Sequence, residues 1–163
     1  MDRYKMEDLI KWKNSTNRKP LIIRGARQVG KTWLMQEFGR KYYEKCAYIN
    51  FDNNSRMDIL FNEEFDLDRI IQGLKIESGI NIEPENTLII FDEIQETPKA
   101  LKTLKYFYEN ANEYHIVAAG SLLGVAMHQG TSFPVGKVNF MDLMPLSFFE
   151  FLDALGQEHL LNL

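Results

Sequence analysis

The sequence predicts an α/β fold in which a central parallel sheet is flanked by helices on both faces. Three observations predict it. The short runs LIIRG (21–25), AYINFD (47–52), TLIIFDE (87–93) and HIVAAGS (115–121) are apolar at successive positions, as strands buried on both faces are. Segments with helical spacing of apolar residues alternate with these runs. Between the first run and the helical segment after it stands GARQVGKT, Gly25 to Thr32, a glycine-bracketed turn from strand to helix.

The elements follow in order. Asp2 to Lys13 carries Met6, Leu9, Ile10 and Trp12 in a ragged helical pattern. NSTNRKP is a loop that Pro20 stops, and LIIRG is the first strand. KTWLMQEFGRKYY places Leu34, Phe38 and Tyr42 on one helical face. AYINFD is the second strand, and a polar stretch around Asn53 to Arg56 follows it. FDLDRIIQGLKIESG reads as a helix with Ile70, Ile71 and Leu74 inward and Gly79 as its stop. TLIIFDE is the third strand. Thr97 is the expected N-cap of the next helix, with Pro98 at its first position and Leu101, Leu104 and Tyr108 as its stripe. HIVAAGS is the fourth strand, GTSFPVG a loop and KVNFMDL a fifth strand. Ser147 to Glu150 has the capping-box pattern ahead of Phe151, Leu152 and Leu155.

Composition bounds the function. At 163 residues the chain has the length of one domain with a real core. It is 45% hydrophobic and 26% charged, the balance of an ordinary globular protein. A net charge of −4 does not indicate nucleic acid as a partner, and no helix-turn-helix, zinc-ligand set or basic stripe appears. The apolar runs are too short for a bilayer, so no membrane is expected. The charged amino terminus holds no signal core, and the single cysteine, Cys46, reads as an inert core thiol. A cytoplasmic location fits all of this. His115, His128 and His159 lack metal-ligand spacing, and His115 reads as structural.

The chemistry begins at Gly25-Ala26-Arg27-Gln28-Val29-Gly30-Lys31-Thr32, a phosphate-binding loop in the G-x-x-x-x-G-K-[ST] pattern. Backbone N–H groups must curl around phosphate oxygens, and glycine lets the chain come close enough. The helix that begins at Lys31, with Trp33 in its first turn, points its positive end at the anion. Lys31 supplies charge to the outer phosphates and Thr32 a hydroxyl to Mg²⁺. With glycine near 7% of residues, the four fixed positions coincide by chance in well under about 1% of such chains.

The second signal is Asp92-Glu93 at the end of TLIIF. The carboxyl end of a strand in an open α/β sheet is where ligands lie. Asp92 is suited to hold Mg²⁺ through its water shell, and Glu93 to deprotonate an attacking water. Ser121, after IVAAG, has a hydroxyl placed either for the γ-phosphate and its water or for capping LLGVAMH. The residues leave both open.

In this order GARQVGKT, LIIFDEIQE, AAGSLLG and FPVGKVNFMDLMPLSFFEFL resemble the AAA-type P-loop ATPases in which an ATPase domain precedes a separate carboxyl-terminal domain. The resemblance covers roughly Lys19 to Leu155. It implies a P-loop NTPase sheet of the AAA type, with the loop strand in the middle and another strand between it and LIIFDE. It implies ATP rather than GTP, with Lys31 as the loop lysine, Thr32 as the Mg²⁺-associated hydroxyl, Asp92 and Glu93 as the acidic pair and Ser121 at the sensor position. It divides the chain into a helix and loop at 1–19, an ATPase core at 20–145 and the start of a further helix at 146–163. The expected partners are ATP, another copy of the chain in a homo-oligomer, and a carboxyl-terminal domain of the same protein. The ending HLLNL, with no polar tail, reads as an interrupted protein.

Where the family tends to have arginine after PVG, this chain has Lys137. Every arginine (Arg3, Arg18, Arg24, Arg27, Arg40, Arg56, Arg69) lies in the first half. A finger cation over the γ-phosphate therefore comes from Arg27, from Lys137 as a weaker substitute, or from Arg56 or Arg69 of a neighbouring subunit. Lys137 reads equally as a solvated turn residue. Two rivals stand beside Mg-dependent ATP hydrolysis. A small-molecule kinase has a similar fold but uses late lid arginines. A non-hydrolysing switch would bind ATP only as a conformational ligand.

Overall fold

Among the described residues five strands form, and all of them pair in parallel in one sheet of order β2-β3-β4-β1-β5. The computed structural model describes residues 3–25, 30–120 and 136–143. Its elements are helix α1 (Arg3–Asn14), strand β1 (Leu21–Arg24), α2 (Lys31–Tyr42), β2 (Lys45–Asn50), α3 (Ser55–Asn62), α4 (Leu67–Ser78), β3 (Thr87–Asp92), a 3-10 turn (Ile94–Glu96), α5 (Pro98–Asn110), β4 (His115–Gly120) and β5 (Asn139–Asp142). Strand β1 is interior, one place from the β5 edge, and β4 lies between it and β3. The capping-box helix expected after Ser147 lies outside the described residues.

Side chains alternate across the strands and build a core on each face. Ile22, Ile89, Phe91, Ile116 and Ala118 pack with residues of α3, α4 and α5. Leu21, Ile23, Leu88, Ile90, Val117 and Ala119 pack with α1 and α2. Burying each large apolar side chain contributes roughly 1.5–3 kcal/mol, so the double-sided sheet is the chief source of stability. It also holds the carboxyl ends of β1 and β3 in fixed relation, and the candidate site residues sit there.

Local differences from the expected elements have physical causes. The polar stretch after β2 opens a helix, α3, because Asn54 caps it: the Asn54 side chain accepts from the Met57 N–H at 3.2 Å. Its buried stripe is only Met57 and Phe61, too short to register as a period. Helix α2 turns Leu34, Met35, Phe38 and Gly39 inward, whereas Tyr42 stays near the surface. A Cβ on Gly39 would stand 2.7 Å from Cys46 Sγ, so glycine lets α2 approach β2. Burial pushes the Cys46 thiol up to about 11, which leaves it protonated and unreactive near neutral pH. Asp66 caps α4 and Gly79 ends it in the left-handed conformation at φ 73°. Thr97 is the N-cap residue of α5, as expected, but its hydroxyl donates to Asp58 Oδ1 at 2.7 Å and makes no capping bond to the helix. The inward stripe of α5 is Leu101, Leu104 and Phe107, with Tyr108 only half-buried.

The amino-terminal edge of the sheet is closed by a polar and aromatic cluster. His115 Nδ1 shares a 2.6 Å hydrogen bond with the Tyr43 hydroxyl, and the Trp12 and Tyr43 rings meet His115 edge-on. Burial, helped by the Arg18 and Lys13 charges, pushes His115 down to about 4. Its role is structural, as its sequence position suggests.

Candidate functional site

Strand β1 delivers Gly25 to the carboxyl edge of the sheet, and Gly30 restarts the chain as α2. Gly30 sits at φ 87°, ψ 20°, a left-handed conformation that glycine adopts without a Cβ penalty. Ala26, Arg27, Gln28 and Val29 lie outside the described residues, and so does Ser121. Helix α2 then presents its first-turn N–H groups and the positive end of its dipole at this edge. Trp33 lies in that first turn with its side chain largely exposed.

Lys31 is 7% exposed, and its Nζ donates to Gly25 O at 2.8 Å. This bond spans the loop and holds the ammonium against the loop's own backbone. Burial lowers the Lys31 pKa, while the nearby Glu93 and Asp92 charges act to raise it. A cation so placed, with two acidic groups in range, gains from a ligand that brings more negative charge.

Asp92 ends β3 and is 4% exposed. A carboxylate so deep needs donors on both oxygens. Oδ2 accepts from the Thr32 hydroxyl at 2.6 Å and from the Tyr48 hydroxyl at 2.6 Å. Oδ1 accepts from the Glu93 N–H at 3.0 Å. Burial first, and the bond to Asp92 second, push the Tyr48 phenol well above its ordinary pKa, so it stays a donor.

Glu93 stands at φ 55°, ψ 41°, left-handed backbone that an L side chain adopts at a cost on the order of 1 kcal/mol or more. This turn takes its side chain off the strand line into a half-buried position. Gln95 Nε2 donates to Glu93 Oε2 at 2.7 Å and fixes the carboxylate. The Gln95 Oε1 atom is buried without a hydrogen-bond partner, so the amide faces Glu93 with its donor.

The structure thus joins Lys31, Thr32, Asp92 and Glu93 at one edge, although the first pair and the second are sixty residues apart in sequence. Tyr48 and Gln95 complete the site and were not expected. Tyr48 reads as an ordinary strand aromatic until β2 is known to pair with β3, and Gln95 is an unremarkable polar residue after the acidic pair. Thr32 and Asp92 together offer a hydroxyl and a carboxylate, hard oxygen donors of the sort that suit Mg²⁺ with its remaining waters. Among the described residues no group of three or more His, Cys, Asp or Glu forms a metal cage.

Lys137 does not reach this site. Lys19 Nζ donates to Gly136 O at 3.0 Å, and the Asn139 N–H donates to Pro20 O at 2.8 Å. Residue 137 accordingly lies at the amino-terminal edge of the sheet, the length of a four-residue strand from Gly25, which is roughly 13 Å. Its Nζ stands 3.7 Å from Glu109 and over the Tyr108 ring. The expectation that Lys137 serves the γ-phosphate in cis is overturned by the parallel direction of β5. Arg69 is also committed, donating to Leu60 O and Glu64 O at 2.7 Å each.

The family model of the AAA domain matches residues 17–152. No curated protein matches the chain by sequence. Among solved structures, the chain is similar to a Walker-type ATPase of Pyrococcus abyssi, at 16% identity and a TM-score of 0.60 over 100% of this chain and 59% of that one. It is similar to the Orc1 protein of Aeropyrum pernix in complex with DNA, at 14% identity and 0.56 over 96% and 48%. It is also similar to AMPPCP-bound DnaA from Aquifex aeolicus, at 15% identity and 0.51 over 96% and 50%. These likenesses are of fold, and the chain spans about half to three-fifths of the length of those proteins. No helix among the described residues is long and apolar enough to cross a membrane.

Proposed function

This chain belongs to the AAA domain family, and from that premise we propose that it binds ATP with Mg²⁺ and hydrolyses it as the ATPase domain of a larger protein. The observation that carries the reading is the 2.6 Å bond from Thr32 Oγ1 to Asp92 Oδ2, which ties the phosphate loop to the acidic strand end. In this reading the backbone of 25–32 and the amino end of α2 bind the phosphates, and Lys31 leaves Gly25 O for the outer phosphate oxygens. Thr32 and Asp92 hold Mg²⁺, which when bound would offset phosphate charge. Glu93 accepts a proton from the attacking water. The water oxygen bonds to the γ-phosphorus as the bond from phosphorus to the β–γ bridging oxygen breaks, releasing ADP and phosphate. Gln95 keeps the Glu93 carboxylate turned for that transfer.

The likeness to AMPPCP-bound DnaA, a protein with an ATP analogue in its structure, supports a nucleotide as ligand. Phosphate release from Mg-ATP with no acceptor present tests the reading. Hydrolysis gives steady release that Glu93→Gln suppresses. ADP formation only after a small-molecule acceptor is added, with no free phosphate, points to a kinase, and binding without ADP formation points to a switch; either outcome overturns the proposal.

A further inference from the structure

Asp92 carries more hydrogen bonds than the loop-to-strand link requires. Its Oδ2 takes two hydroxyls, and only one of them, Thr32, belongs to the phosphate loop. The second comes from Tyr48 on β2, whose register pairs Tyr48 with Ile90 and Asn50 with Asp92. In a parallel sheet, residues two apart share a face, so Tyr48 and Asp92 emerge on the same side. A phenol is long enough to reach diagonally across that spacing. The Tyr48 ring packs against the core that α1 and α2 form, while its hydroxyl stays in the polar pocket.

We propose that Tyr48 is a positioning residue of the magnesium site, holding the Asp92 carboxylate in place while the Thr32 hydroxyl is engaged by the ion. This rests on the reading of Thr32 and Asp92 as the Mg²⁺-holding pair. Without Tyr48, Thr32 would be the one remaining hydroxyl on Oδ2 among the described residues, and that hydroxyl would have to serve the ion and the carboxylate. With Tyr48, Oδ2 keeps a donor that never leaves, and Oδ1 keeps the Glu93 N–H. The plane of the carboxylate is then fixed at both oxygens whatever Thr32 does. Groups that orient a ligand in this way typically govern metal affinity by about 10- to 100-fold.

Tyr48→Phe removes the hydroxyl and keeps the ring that packs in the core. The test is the Mg²⁺ dependence of binding of a fluorescent ATP analogue, with thermal melting of each protein as a check on the fold. The variant should need about tenfold more Mg²⁺ for half-saturation, the lower end of the range for such orienting groups. Its affinity for the analogue in EDTA should match the parent. A Mg²⁺ curve that overlays the parent's, even with a lowered melting temperature, makes Tyr48 a packing residue and overturns the inference alone. A parent that binds the analogue without regard to Mg²⁺ overturns the magnesium reading of Thr32 and Asp92 and this inference with it.

Discussion

In the proposed function, Glu93 is the residue on which hydrolysis, as distinct from binding, would turn. Its left-handed backbone and its bond from Gln95 hold a carboxylate beside the phosphate loop, where proton transfer would occur. Glu93→Gln keeps the shape and removes the base. It should leave ATP affinity near the parent's and cut turnover by about 10²-fold or more, measured as phosphate release under saturating ATP. Turnover equal to the parent's would reduce Glu93 to a strand-end residue. Gln95→Ala frees the carboxylate without removing it. Its turnover should fall by less than that of Glu93→Gln, while ATP affinity by calorimetry stays level; a larger loss in Gln95→Ala would mean that the amide does more than orient Glu93.

At the scale of elements, strands and long helices were legible in the sequence because their signals are local. LIIR, TLIIFD and HIVAAG are apolar at nearly every position, and the structure buries them on both faces. Helix α3 was not legible, since two buried residues and one asparagine cap make no periodic pattern. The site divides in the same way. Lys31, Thr32, Asp92 and Glu93 stand in motifs whose spacing carries the chemistry, whereas Tyr48 matters only through the pairing of β2 with β3. The close approach of α2 to β2 at Gly39 is likewise a tertiary fact. Gly39→Ala should destabilise the fold by roughly 1–3 kcal/mol in urea unfolding, because the new methyl meets Cys46 Sγ. Unchanged stability would show that α2 can shift at no cost. The opening of β4 gives a pH dependence. His115 titrates near 4 in the fold against an ordinary 6.5, so the unfolded chain binds the proton first. Its contribution is fully present above about pH 6.5 and is lost as the pH falls toward 4. Between pH 7 and pH 5 the parent should lose on the order of 2 kcal/mol more than His115→Phe in urea unfolding. Parallel losses in the two proteins would place the acid sensitivity elsewhere.

For the molecule as a whole, the described arginines bear on how fast the proposed hydrolysis would run. Arg18 bonds to Asn112 O, Arg24 to Asp142, Arg40 to Glu37, Arg56 to Glu77 and Arg69 to two backbone carbonyls. Lys137 is on the far edge of the sheet. The Arg56 side chain is 72% exposed although it pairs with Glu77, whereas the Arg69 side chain is 30% exposed and donates to two backbone carbonyls. A second copy is therefore better able to offer Arg56 than Arg69. A finger arginine is worth about 10³ to 10⁵ in rate, so turnover should be slow at high dilution and rise steeply per subunit with protein concentration. Arg56→Ala should flatten that rise. A rapid, concentration-independent rate would instead mean that the stimulating cation acts within one chain. All of this presumes that residues 25–32 bind phosphate, and calorimetric titration of ATP into the parent chain and into Lys31→Ala, each with Mg²⁺ and with EDTA, decides that point. The parent should bind ATP tightly with Mg²⁺ and more weakly in EDTA, and Lys31→Ala should lose tight binding. Equal ATP affinity in the two proteins would contradict the assignment of the phosphate loop.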